Sequence, residues 1–89
     1  MYYVYVLFSD RDKKFYTGFT DDLKRRVAEH NAGRVRSTSD RRPLRLVYYE
    51  ACLNQEDAIH REKYLKTTFG KEYIRKRINN FLVEVGVNT

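Results

Sequence analysis

Five side chains in this sequence carry groups that move protons or bind anions, and the periods of their elements aim them inward. On a helix advancing 100° per residue, Leu23, Val27 and His30 share one stripe and Arg26 lies at its edge. An imidazole and a guanidinium therefore look toward the interior, while Arg25 and Glu29 look toward water. In a second helical stretch Glu62 falls within the apolar arc of Ala58, Leu65 and Phe69, and His60 falls on the solvent side. A carboxylate aimed at a core is costly unless a cation compensates it, whether an Arg, a Lys or a metal ion. Alternation along the first strand puts Tyr3, Tyr5 and Leu7 on one face and Tyr2, Val4, Val6 and Phe8 on the other. Tyr16 stands two residues before Gly18, where the missing side chain leaves room for a backbone or a substrate. Each residue alone has a structural explanation: Glu62 pairing with Arg26, the phenols as amphipathic packing, His30 as a satisfied helix histidine. Two Tyr, an Arg, a His and a Glu converging from separate elements would make a polar pocket.

The elements that must position them are legible in outline. Tyr2 to Phe8 is almost wholly β-branched or aromatic and reads as a strand. Ser9 to Lys14 is a polar hairpin turn, and Phe15 to Thr20 a second strand. Thr20 or Asp21 caps a helix running to about Ala32, with Gly33 as its stop. Arg34 to Pro43 is a basic loop and Leu44 to Glu50 a third strand. Asn54 precedes Asp57 at capping distance and opens a helix expected to end near Gly70. A last helix from Lys71 to about Leu82 carries Ile74, Ile78, Phe81 and Leu82 at helical spacing. The order ββαβαα predicts an α+β fold, a small three-stranded antiparallel sheet flanked by helices.

Composition bounds the function. The chain has 89 residues, 42% of them hydrophobic and 15% aromatic, which argues against disorder. One domain over residues 1–89 is expected, with its core in about residues 2–82 and a short C-terminal tail. No apolar run reaches the length of a membrane span, and the start of the chain lacks the pattern of a secretory signal. Cys52 is the one cysteine, so no intrachain disulfide can form and a cytoplasmic location is expected. Lys and Arg number 18 against 12 acids, a net charge of +6. All of that excess lies between Lys24 and Arg45, where Lys24, Arg25, Arg26, Arg34, Arg36, Arg41, Arg42 and Arg45 face Glu29 and Asp40. Arg can clamp a phosphate through two parallel hydrogen bonds, so the segment points to a nucleic acid.

Tyr3-Val4-Tyr5 followed ten residues later by Tyr16-Thr17-Gly18 resembles the paired tripeptides of the GIY-YIG nuclease superfamily. Leu23 to Asn31 resembles that family's first helix, with Arg26 and His30 in place, and Ala58 to Lys66 resembles the helix bearing its metal-binding Glu, here Glu62. Arg41 to Glu50 is similar to the small single-domain branch, itself similar to the nuclease part of the excinuclease C subunit. Tyr3 stands where the family name has Gly, and Thr17 where it has Ile.

The resemblance implies metal-dependent hydrolysis of phosphodiester bonds in DNA, with RNA a further candidate substrate. Glu62 would hold Mg²⁺ or Mn²⁺, and Arg26 would stabilise charge on the phosphate. Tyr16 would be the base, with Tyr5 as relay or orienting group, and His30 would accept a proton from a Tyr or bind phosphate. Thr38 with Arg25, Arg34, Arg36, Arg41 and Arg42 would steer the nucleic-acid backbone. Asn80 is the candidate for a late Asn near the site. The competing expectation is a domain of the same fold that holds DNA or RNA without cutting it.

Overall fold

The protein is described by a computed structural model covering residues 1–87. Three strands form one antiparallel sheet: β1 (Tyr2–Ser9), β2 (Phe15–Thr20) and β3 (Leu44–Cys52), in the order β2-β1-β3. β1 is the central strand, and residues Val4 through Ser9 are all buried. The β1–β2 hairpin closes through Ser9 and Lys14, whose backbone groups bond at 2.9 Å. The Ser9 hydroxyl accepts from the Arg11 and Asp12 amides and donates to the Arg41 carbonyl at 2.6 Å. That last bond fixes the hairpin to the basic loop. The register pairs Tyr5 with Gly18 and Leu7 with Tyr16.

The alternation read from β1 holds and separates two cores. Val4 and Val6 pack with Ala58, Leu65, Ile74, Ile78 and Leu82 on one face. Tyr5 and Leu7 pack with Leu44 on the other, joined by Tyr16, Leu23 and Val27. α1 (Leu23–Asn31) covers the second face. It starts one residue later than expected, because the side chain of Asp22 accepts from the Arg25 amide at 3.1 Å, while Thr20 bonds the Asp22 amide. Its end is a Schellman turn. Gly33 takes φ 77° and donates to the His30 carbonyl, and Arg34 donates to that of Glu29. Only glycine adopts that φ without strain.

Two helix boundaries differ from the sequence reading. α2 (Gln55–Leu65) is capped by Asn54 as expected but stops well before Gly70. The Thr67 side chain accepts from the Gly70 amide at 3.2 Å and so caps a new helix, α3 (Thr68–Arg77). The expected last helix is also two. At Ile78 the backbone leaves helical geometry (φ −114°, ψ 30°), and α4 (Asn79–Glu84) begins there. With that bend Ile74, Ile78 and Leu82 all lie in the same core. Val87, beyond α4, also packs against this cluster.

Candidate active site

Tyr5 is the hub. Its ring lies over Gly18, its partner across the hairpin, so that a Cβ on residue 18 would stand 2.5 Å from Tyr5 Cζ. Glycine is required there because the phenol fills the space any side chain would occupy. The Tyr5 hydroxyl meets His30 Nε2 at 2.8 Å, and His30 Nδ1 meets Thr38 Oγ1 at 2.7 Å. Thr38 donates its own proton to the Val35 carbonyl at 3.4 Å. Thr38 therefore accepts from Nδ1–H, Nε2 is bare, and Tyr5 donates to it. The chain of bonds runs from Tyr5 through His30 and Thr38 into the loop backbone.

Burial sets the charge states. His30 is wholly buried, and its pKa is pushed down to about 4, first by desolvation and then by the Arg26 charge, with Glu29 opposing. The imidazole is therefore neutral at neutral pH. Tyr5, 1% exposed, has its pKa raised because burial outweighs the nearby Arg26 guanidinium, which stabilises phenolate. Arg26 in turn is held more firmly protonated by Tyr5 and Glu29, and bonds the Glu29 carboxylate at 3.2 Å. The charges of Tyr16 and Glu62 also bear on Tyr5.

The second phenol is in a different setting. Tyr16 is only half-buried, with its ring edge-on to His30 at 5.0 Å and tilted to Tyr5 at 6.4 Å. Its hydroxyl bonds to nothing else among the described residues. Glu62 is one-fifth exposed and pairs with Lys66, one helical turn on, at 3.2 Å. The pairing of Glu62 with Arg26 that a purely structural reading expects does not occur. Arg61, beside Glu62, is bonded by both nitrogens to Glu50 and lies 4.9 Å from the Tyr73 ring and 5.2 Å from the Tyr64 ring. Tyr48 completes this network through Glu50 at 2.8 Å. Arg61 holds the Glu50 carboxyl below its usual range, and the network fixes α2, and with it Glu62, against β3.

Several expected site residues stand elsewhere. Thr38 is fully buried and its hydroxyl is engaged by His30 and Val35, so it positions the imidazole and cannot touch a nucleic-acid backbone. His30 has both nitrogens bonded, to Tyr5 and Thr38, and no exposed surface. Arg41 binds Asp12 through two nitrogens and the Phe15 carbonyl, holding the Asp12 carboxyl down to about 2. Arg42 lies over Gly33 and bonds the Ser39 carbonyl. Both organise the loop. Arg25 is exposed between Asp21 and Glu29, at 3.9 and 4.0 Å, and Arg34 and Arg36 are exposed. Asn80 is exposed on α4, whose buried Leu82 belongs to the face opposite Tyr5. Tyr3 turns toward Tyr49, 6.1 Å away across the sheet, so the space over Tyr5 depends on Gly18.

Three positioning residues escaped the sequence reading. Lys66 was signalled by its spacing from Glu62. Glu29, assigned to solvent, holds Arg26 from three residues away. Asn31 bonds both the amide and the carbonyl of Leu44 at 3.0 Å, and nothing local in the sequence announces that contact.

Comparison with known proteins shows the family and the fold. A family model described as the GIY-YIG catalytic domain matches residues 1–80. A "UPF0213 protein in ldhD 5'region" of Pediococcus acidilactici is 40% identical over 85 residues, covering 92% of this chain and 86% of that protein. A UPF0213 protein of Lacticaseibacillus paracasei is 48% identical over 66 residues, 73% of each chain. The solution NMR structure of a UPF0213 protein from Bacillus halodurans is similar with a TM-score of 0.53 at 35% identity, over 85% of this chain and 84% of that one. A phenol lying over a glycine, bonded to a histidine and set beside an arginine of the first helix, with a second phenol edge-on to that histidine, is thus found in a chain that belongs to the GIY-YIG family, in its small UPF0213 branch.

Proposed function

We propose that this protein is a divalent-metal-dependent endonuclease that hydrolyses phosphodiester bonds in DNA. The observation that carries the reading is the unequal setting of the two phenols. Tyr5 is sealed, donates to a neutral His30, and is a weaker acid than a free phenol. Tyr16 is half-open and its hydroxyl is unengaged. A base must reach an incoming water, and Tyr16 is the phenol with that access. Tyr5 holds the His30–Thr38 chain and supports Arg26, whose side chain is 37% exposed and can meet the non-bridging oxygens of a phosphate.

Glu62 fits a hard divalent ion. One carboxylate oxygen is paired with Lys66 and the other is free among the described residues. No cluster of three or more His, Cys, Asp or Glu that could cage a metal exists among them. Mg²⁺ is commonly held by one or two carboxylates, with water and substrate phosphate completing its shell. When bound, the ion supplies Lewis-acid stabilisation of the leaving oxygen. The protein's own contributions are Tyr16, in its phenolate form, receiving the proton of water, Arg26 countering the charge gathered on the phosphate oxygens, Glu62 offering its free carboxylate oxygen to the ion, and Lys66 orienting the phosphate.

No helix among the described residues is long and apolar enough to cross a membrane, and Cys52 is free and half-buried. Both features agree with action on nucleic acid in the cytoplasm. The test is incubation of linear and branched DNA with Mg²⁺ or Mn²⁺ beside a chelator control. Cleavage that requires the ion is expected. Binding without cleavage across all substrates would replace the nuclease reading with a non-catalytic binding domain of the same fold.

A further inference from the structure

Folding takes up part of the charge of the basic segment and leaves Arg34 and Arg36 exposed. Arg26, Arg41 and Arg45 are paired with Glu29, Asp12 and Asp10, and Arg42 bonds the Ser39 carbonyl. A groove of about 570 Å³ lies elsewhere, along β2 from Phe15 to Thr17 and against α3. It is lined by Lys13, Lys14, Lys66, Lys71 and Arg75, and no acidic side chain lines it. Lys66 pairs with Glu62. The other four make no ion pair among the described residues, and all five are exposed. Tyr16 also borders the groove. The cleft therefore runs from the half-open phenol, past the cation that neighbours Glu62, along a wall of unpaired positive charge.

We infer that this groove is the path of the DNA sugar–phosphate backbone flanking the bond to be cut. The inference rests on the nuclease reading for its destination at Tyr16 and Glu62. Its own support is the arrangement of charge. β2 is an edge strand. The hairpin turn brings Lys13 and Lys14 to one side of that edge, with Lys13 at φ 60° in the turn, and α3 brings Lys71 and Arg75 to the other. A polyanion lying between them meets cations from both walls without displacing an existing ion pair. At Arg41 and Arg45 it would have to compete with Asp12 and Asp10.

The test is binding of fluorescein-labelled single-stranded and duplex DNA, read by anisotropy in the presence of a chelator so that nothing is cut. The triple variant Lys13→Ser/Lys71→Ser/Arg75→Ser is compared with Arg34→Ser/Arg36→Ser and with the wild-type chain, after circular dichroism has shown that all are folded. The groove variant should bind at least 10-fold more weakly at low salt. Its slope of log K against log[salt] should be shallower by about two to three, since each neutralised phosphate contributes about 0.7 to 0.9. The loop variant should lose less than the groove variant on both measures. Unchanged binding by the groove variant would overturn the path and leave those lysines as guards of the β2 edge against strand pairing. A larger loss in the loop variant, or no DNA binding by the wild-type chain, would overturn it as well. Metal-dependent cleavage is measured separately. Groove-dependent binding with no cleavage in any metal removes the nuclease reading and keeps the path, whereas cleavage with groove-independent binding does the reverse.

Discussion

A phenol is an ordinary residue until its surroundings make its two protonation states unequal, and the two phenols here are treated differently. Tyr5 is closed in by Gly18, His30 and Arg26, while Tyr16 shares the His30 ring and keeps an open hydroxyl. Tyr16→Phe removes the base without removing the ring, so cleavage should fall by at least ~10²-fold with little change in melting temperature. Wild-type turnover in that variant would exclude Tyr16 as base. Glu62→Gln keeps the shape of the side chain and deletes its charge. Metal-dependent cleavage should be lost while DNA binding in chelator persists, and cleavage at the wild-type rate would remove Glu62 from the site. Thr38→Val takes away the acceptor of a buried N–H. It should cost about 1–3 kcal/mol of stability, read from the urea midpoint, and also lower cleavage by loosening His30. The inward aim of Arg26, His30 and Glu62 was legible because helical period alone determines it. The inequality of the phenols was not, since it depends on Thr38 arriving from a loop eight residues beyond His30.

At the scale of elements, the strands read most directly, because alternation along β1 has a meaning independent of its neighbours. Helix ends read less well. Gly70 resembles a terminator, yet the Thr67 side chain has already capped the next helix, and Ile78 ends α3 with no signal other than the need to keep Ile74 and Leu82 in one core. Contacts between elements are the least legible. Asn31 uses its whole amide to hold the first residue of β3 beside the end of α1, in the position next to His30. Asn31→Ala leaves both Leu44 backbone groups without that partner. A loss of about 1–3 kcal/mol is expected, with hydrogen exchange at the Leu44 amide rising more than at the centre of β1. Equal protection of Leu44 in the variant would show that the clamp is redundant.

At the scale of the whole molecule, charge along the chain and charge in space diverge. A run of eight cations reads as a binding surface, yet folding lays Asp10 and Asp12 of the hairpin against Arg45 and Arg41, leaves Arg34 and Arg36 exposed, and gathers four further cations, unpaired among the described residues, along the groove beside β2. Stability carries a comparable signature in its pH dependence. The pKa of His30 is about 4 in the folded protein against about 6.5 for an unperturbed imidazole. Between those values the unfolded chain binds a proton that the folded chain refuses, so stability rises with pH across that window and falls as the solution is acidified from 6.5 toward 4. The folded pKa values of Asp12 and Glu50 are lowered from carboxylate values, so their contributions disappear only on further acidification, below about pH 4.5. Between pH 6.5 and 4.5 the loss therefore belongs to His30, whose neighbours Tyr5, Arg26 and Thr38 all favour or tolerate the neutral ring. Moving from pH 7 to pH 5 should remove roughly 2 kcal/mol from the unfolding free energy, measured by urea titration. His30→Gln, though less stable throughout, should show a nearly flat profile over the same interval. A variant that keeps the wild-type slope would place the titrating group elsewhere, and the neutral imidazole on which the Tyr5–His30–Thr38 chain depends would lose its energetic support.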